Sequence, residues 1–281
     1  MGNRKGVMLA KKMSDAYLAR LPDQVYFQPK INGQRCKCRG IFDENKLWLK
    51  SSQNNIINSV PHINEQLGKV FGALRFDGEL WHPDLSVQEV GAIVRKTTRL
   101  DQRYKMINYY IFDLITGDNQ NTRFNDLYSF KKEIEEQPNL KLLNWYHAPK
   151  SYWEQYYDRF IKQGYEGLII RNPDALYQEK RTADLLKKKK TTIKEFKIIG
   201  AFQAEAVMGV QVNMLGGLKL ITVEGKIFSC GAGCLSHGER EGYWAVHLMS
   251  QYVLKQKTAV IEYPELTLRG VPHQPILKEI I

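Results

Sequence analysis

Residues 28–40 read QPKINGQRCKCRG. The apolar residues before this stretch form a strand-like run, Asn32-Gly33 is a strong two-residue turn signal, and residues 35–40 continue as a second strand. A β-hairpin with charges on its solvent face accounts for these residues taken alone. It leaves one thing unexplained: a lysine, Lys30, stands just before the turn, and an arginine, Arg35, stands five residues after that lysine.

Working outward, the chain reads as α+β. Residues 7–22 predict a short helix. Residues 46–52 alternate apolar and polar side chains, a strand pattern, and residues 60–72 predict a helix ending at Gly72. Residues 74–80 and 106–115, rich in aromatic and branched side chains, predict strands. Residues 125–137 and 151–164 predict amphipathic helices, the second capped by Gly164. Residues 166–171 predict a short buried strand. A charge run follows: residues 179–197 hold eight basic side chains against three acidic ones. By itself that is a solvated linker, and a domain boundary is expected near it, with domains at 1–192 and 193–281. The last part predicts three strands, then a helix with Ser236 and Glu239 at capping-box spacing and Trp244, Leu248 and Tyr252 on one face, then two strands. That order is the order of an OB-fold β-barrel, a module often used on nucleic acids.

The totals agree with such a partner. The 281 residues carry 41 Lys and Arg against 30 Asp and Glu, a surplus of +11. A surface this basic suits a polyanion and argues against a small neutral metabolite as the only partner. No run of about 18 apolar residues predicts a membrane span, and the N-terminal stretch lacks the apolar core of a secretion signal. Gly6 at the sixth position excludes myristoylation. Cys36, Cys38, Cys230 and Cys234 form two short spacings, but without histidines at finger spacing they read as reduced structural cysteines of a cytoplasmic protein.

Lys30 and Arg35 then gain company. Phe76-Asp77-Gly78-Glu79, Tyr110-Ile111-Phe112-Asp113, Glu166-Gly167-Leu168-Ile169-Ile170-Arg171 and Leu186-Lys187-Lys188-Lys189 each put polar or aromatic chemistry at the end of an apolar strand. Singly, each has a structural explanation: a turn, a core aromatic, a hairpin end, a solvated lysine run. As an ordered set, with Lys30-Ile31-Asn32-Gly33-Gln34-Arg35 ahead of them, they resemble the motifs of the covalent nucleotidyltransferases, and among these the minimal ATP-dependent DNA ligases of phages and large DNA viruses. The resemblance runs from about residue 24 to the end of the chain. It implies a nucleotidyltransferase (adenylation) domain of antiparallel sheets with flanking helices, followed by the OB-fold barrel.

The resemblance also implies the chemistry. Lys30 attacks the α-phosphate of ATP and becomes Lys-AMP. AMP then passes to the 5′-phosphate at a nick in duplex DNA, and the 3′-hydroxyl displaces it. A lysine amine does this only when deprotonated, and neighbouring cations and desolvation favour the free amine. Lys187, Lys189 and a Mg²⁺ ion (or Mn²⁺) are expected to supply that field and to offset charge on the phosphates. By position, Arg35 and Glu79 are expected to hold ribose and phosphate, and Phe112 and Ile169 to sandwich the adenine. Gln28 is expected to read the adenine edge, and Glu166 with Asp77 to bind the metal. Lys50, Arg171, Lys180, Arg181, Lys188 and Lys190 are expected on the DNA backbone, where contact is sequence-neutral and salt-sensitive.

Three departures stand out. Asn32 occupies the acidic position of the first motif. Ser52 stands where the family places an arginine that grips the nick phosphate, with Lys50 as the nearest substitute. The C-terminal motif that orients pyrophosphate is absent from the ending PILKEII, where Lys278 is the basic residue. With 29 residues ahead of Lys30, no separate N-terminal DNA-binding domain is expected. RNA ligases and mRNA capping guanylyltransferases share the lysyl-nucleotide chemistry, and a basic non-catalytic OB module is the competitor from another class. Glu166, where the capping enzymes begin with Asp, and the OB strand order favour a DNA ligase. A monomer is expected, because a nick has no two-fold symmetry to match.

Overall fold

The computed structural model describes residues 6–41, 46–70, 74–206 and 209–281. It puts the two strands around Asn32-Gly33 in different sheets, so the turn is a crossover and the hairpin expectation is overturned. Gly33 is needed there for approach: a Cβ at this position would overlap the Leu80 carbonyl oxygen.

The chain forms one compact unit up to Lys189 and a second from Lys190. The strands of the first are β1 (Leu9–Lys12), β2 (Gln24–Lys30), β3 (Gln34–Ile41), β4 (Lys46–Ser51), β5 (Phe76–Trp81), β6 (Asn108–Leu114), β7 (Leu140–Leu142), β8 (Tyr146–Pro149), β9 (Gly167–Arg171) and β10 (Arg181–Lys189). They make two five-stranded sheets, ordered β1-β10-β9-β2-β8 and β4-β3-β5-β6-β7. Each sheet buries one face, as period-two patterning requires. In the first sheet Val25, Phe27, Leu168, Ile170 and Leu186 point into a core closed by Phe160 of the helix Trp153–Lys162. In the second, Cys36, Cys38, Leu49, Phe76 and Leu80 pack under the helices Pro61–Val70 and Val87–Val94. Ile31, Phe112 and Leu143 form a small apolar cluster that joins the two sheets. The opposite faces keep the polar side chains.

Several expectations change. Residues 7–22 split into β1 and a five-residue helix, Asp15–Ala19, because β1 pairs in parallel with β10. The charge run is no linker in its first part: residues 181–189 are β10, whose Leu185 and Leu186 are buried. The expected helix end at Gly72 lies outside the described residues. The helix Val87–Val94 was missed, although Ser86 and Glu89 form a capping box.

The second unit is an antiparallel sheet of β11 (Thr192–Glu205), β12 (Gln211–Ile221), β13 (Ile227–Gly231), β14 (Thr258–Tyr263) and β15 (Ile276–Ile280), ordered β13-β12-β11-β14-β15. Its hydrogen-bonded ladders leave β13 and β15 as edges, so the sheet is not a closed barrel. The helix His237–Met249 starts at the expected Ser236–Glu239 capping box. Ser250 then breaks it, with extended backbone at φ −157° and ψ 110°. The expected apolar face is not buried as a whole: Trp244 is buried, whereas Leu248, one turn on in the same helix, and Tyr252, beyond the break, are 63% and 70% exposed.

Candidate active site

Three strands of the first sheet build one row of chemistry. Across β10, β9 and β2, Lys189 pairs with Gly167, and Gly167 with Lys30; two residues along, Lys187 pairs with Ile169, and Ile169 with Gln28. Alternation puts these residues on the face away from the aliphatic core. The strands close tightly because residue 167 is glycine: a Cβ there would overlap the Lys188 carbonyl oxygen. The Glu166 backbone N–H donates to the Lys30 carbonyl at 2.9 Å, which sets Glu166 beside the lysine.

Glu166 bridges the two lysines. Its carboxylate forms ion pairs with Lys30 and, at 2.5 Å, with Lys189; Lys30 Nζ also donates to the Ile31 carbonyl at 3.2 Å. Burial pushes the Glu166 pKa up, but Lys30 and Lys189 outweigh it and hold it below the usual carboxylate value. Among the described residues Lys187 forms no salt bridge. Burial first, then Lys189, Lys30 and Arg181, lower its pKa to about 8. Glu79 shows the reverse: burial raises its pKa, opposed by Lys30 and Arg35.

Arg35 is held by a closed ring. Its guanidinium grips Asp77 with two hydrogen bonds, one from Nε at 2.6 Å, and donates to the Met8 carbonyl at 3.2 Å. Tyr177 completes the ring, donating to Asp77 at 2.5 Å and accepting from the Met8 N–H at 3.2 Å. Asp77 raises the Arg35 pKa against the opposing effect of burial. Arg35 lies over the Phe112 ring, 4.6 Å from its centroid, and the Arg171 guanidinium lies 5.6 Å from the same ring.

Other expected residues lie elsewhere. Arg171, expected on DNA phosphate, is 4% exposed and donates to Asp113 at 2.8 Å, Gln120 at 3.0 Å and Gln28 at 2.9 Å. Gln28, expected on the adenine edge, also donates to the carbonyls of Phe112 and Leu143 at 3.3 and 3.4 Å. Both are parts of a buried scaffold under Phe112. Arg123, a residue not foreseen, anchors that scaffold, with Asp113 at 2.9 Å, Gln120 at 2.7 Å and the Asp118 and Ala175 carbonyls at 2.7 and 3.0 Å. Its signal in the sequence was an arginine on an apolar helix face, between Gln120 and Phe124. Lys188 belongs to the opposite sheet face, its amine 5.7 Å from the Trp153 ring. Lys180, Arg181 and Lys190 are exposed, and Arg181 donates to the Ala10 carbonyl at 2.5 Å. Lys50 lies on β4, 5.8 Å from the Trp48 ring. Among the described residues no group of three or more His, Cys, Asp and Glu could hold a metal ion, and all four cysteines are free.

A lysine amine, a carboxylate between two lysines, and a caged arginine over an aromatic ring have the chemistry to meet a flat ring and its phosphates. Known proteins point the same way. The chain is 26% identical to the DNA ligase of Haemophilus influenzae over 176 residues, 62% of each protein, so the match spans less than two thirds of that relative. Among solved structures, Pmar-Lig_PreS3 superposes with a TM-score of 0.83 at 19% identity, covering 98% of this chain and 67% of that one. A structure from work on DNA binding by Lig E DNA ligases with a minimal scaffold gives 0.76 at 20% identity, covering 98% and 99%. These two likenesses establish a shared ligase-type nucleotidyltransferase fold. The profile of the ATP dependent DNA ligase domain matches residues 7–190, which span both sheets and the whole lysine row, and the chain belongs to that family.

Proposed function

We propose that this protein seals nicks in duplex DNA, joining a 5′-phosphate to a 3′-hydroxyl at the expense of ATP. The observation that carries this reading is the Lys189–Gly167–Lys30 row with Glu166 shared between its two lysines. Lys30 Nζ, as free amine, attacks the α-phosphorus of ATP. The N–P bond forms, the bond to the pyrophosphate oxygen breaks, and pyrophosphate leaves. A 5′-phosphate oxygen at the nick then attacks the Lys30-bound phosphorus and frees the amine. Finally the 3′-hydroxyl attacks the activated 5′-phosphate, and AMP departs.

The neighbours take supporting roles. Glu166 orients the Lys30 amine. Lys187 and Lys189 offset charge on the phosphates, which is most effective from fixed groups in a partly dry site. Arg35 and Glu79 hold ribose and phosphate, and Phe112 and Ile169 flank the adenine. The donor chemistry suits Mg²⁺, or Mn²⁺ in its place: Glu166, with Glu79 near enough to shift its charge balance, offers only carboxylate oxygen, and Mg²⁺ takes few protein carboxylates when phosphates share it. Glu166 would hold the ion, which supplies further charge neutralisation on the phosphates. Asp77 is the second carboxylate assigned to the ion; Arg35 and Tyr177 hold its oxygens as Lys30 and Lys189 hold those of Glu166.

The second unit, residues 193–281, serves as an OB-type module behind an adenylation domain of residues 1–192. Its strand order supports this, as does the approach of its two edges, where Cys230 Sγ donates to the Pro275 carbonyl at 3.4 Å. The protein acts as a cytoplasmic monomer, and four free cysteines suit a reducing compartment.

The test is incubation with α-phosphate-labelled ATP and Mg²⁺, a denaturing gel, and a chase with nicked DNA. The wild-type protein takes up label and loses it to nicked DNA as sealing proceeds; Lys30→Ala takes up none. Label on Lys30→Ala, uptake from GTP instead of ATP, or transfer only to nicked RNA would overturn the reading.

A further inference from the structure

Lys37 and Lys50 face each other directly across β3 and β4, and on the other side of Lys37 the same rung continues to Asp77 on β5. Like charges directly opposite one another destabilise a strand pair. Asp77 does little to relieve them, since Arg35 and Tyr177 hold its oxygens. Among the described residues neither lysine makes a salt bridge. Lys37 Nζ donates to the Gly6 carbonyl at 2.8 Å, and Lys50 lies near the Trp48 ring. Arg75, in phase with Asp77 just before β5, adds a third cation. Its acid partner, Glu179, is 3.6 Å away, and the two side chains are 41% and 49% exposed, so the pair is weak. Burial lowers the Lys37 pKa, with Arg75 and Lys50 adding to that and Glu179 and Asp77 opposing it. These cations lie on the polar face of the second sheet, opposite the face that packs Cys36, Cys38 and Leu49 into the core. They are thus neither core nor mutually satisfied.

We propose that Lys37, Lys50 and Arg75 form a binding site for a backbone phosphate of DNA. Lys50 was foreseen on DNA from the sequence; Lys37 and Arg75 were not. A bound phosphate oxygen neutralises the opposed pair, with which no carboxylate among the described residues forms a salt bridge; Glu179 and Asp77 act on Lys37 only from a distance. The inference rests on the ligase reading for the identity of the polyanion. The same oxyanion chemistry could come from the ATP tail, but Lys187 and Lys189 serve that purpose from the other sheet.

The experiment measures binding of the full chain to a labelled nicked duplex by anisotropy across a salt series, and the KM for ATP in self-adenylation. Lys37→Gln weakens DNA binding several-fold and lowers the slope of log K against log salt by about 1, as loss of one phosphate contact does. Lys37→Arg retains both, and thermal melting shows Lys37→Gln no less stable than wild type, because a repulsion has been removed. If Lys37→Gln fails to fold, Arg75→Gln takes its place. Unchanged affinity and slope with a raised KM for ATP would hand the cluster to the nucleotide and overturn the proposal. No change in either would overturn it too, leaving the cluster as unmatched surface charge. The two readings fail separately: a wild type that adenylates while Lys37→Gln binds DNA normally sinks only the phosphate site, and one that never adenylates while Lys37→Gln loses DNA sinks only the ligase reading.

Discussion

Lys187 carries the clearest pH signature of any residue in the site. Its pKa is lowered to about 8, first by burial and then by Lys189, Lys30 and Arg181. Between about 8 and the ordinary lysine value near 10.4, the unfolded chain holds this proton and the folded chain does not. Over that window the group makes folding stability rise with pH. Function runs the other way: below the lowered pKa the side chain is charged and can hold a phosphate, and above it that charge is lost. The KM for ATP in self-adenylation is therefore expected to climb above a pH of about 8, and Lys187→Arg, charged throughout, is expected to remove the climb. Initial rates of label uptake from about pH 6.5 to about pH 9.5 check this, spanning the lowered value. A wild-type profile without the climb would leave the phosphates to Lys189.

The row of lysines depends on how closely β10, β9 and β2 pack, and Gly167 sets that spacing. Gly167→Ala forces a Cβ against the Lys188 carbonyl, where the clash is with backbone and has no flexible end to give way. The expected cost is about 1–3 kcal/mol of stability, typical of overpacking. Adenylation is expected to fall further than stability does, because Lys30 and Lys189 move with the strands they end; thermal melting alongside label uptake measures both. Equal activity at normal stability would show that the row tolerates a wider spacing. The motifs around this row were legible in the sequence because each is local: a strand end, a glycine and one charged residue fix both the element and its chemistry. What local pattern could not reveal was pairing at a distance. Residues 9–12 gave no strand signal, since their strand exists through the parallel register with β10. The resemblance assigns Arg171 to phosphate and Gln28 to the adenine edge by position, without their protein partners. Both side chains are tied down by Asp113, Gln120 and Arg123, from a strand and a helix whose approach no motif announces. The Asn32-Gly33 turn misled for the same reason, since turn chemistry says that the chain reverses and not which sheet it enters next.

At the scale of the whole molecule the charge is unevenly shared. Residues 1–189 carry 31 Lys and Arg against 22 Asp and Glu, whereas residues 190–281 carry 10 against 8. A polyanion is thus attracted mainly by the unit that bears the lysine row, and the second unit adds little field of its own. Counterion release makes that attraction measurable, because each phosphate contact contributes about 0.9 to the salt slope of B-DNA binding. Neutralising the exposed pair Lys180 and Arg181 together, as Lys180→Gln with Arg181→Gln, is expected to lower the slope by about 2 and to weaken binding on every duplex sequence alike. Neutralising the exposed pair Lys194 and Lys219 of the second unit in the same way is expected to change the slope by less than half as much, a fraction of the ~0.9 per contact. The comparison is made on one nicked duplex across one salt series. Equal losses from both pairs would mean that the duplex lies along both units, and that net charge alone does not tell where it binds.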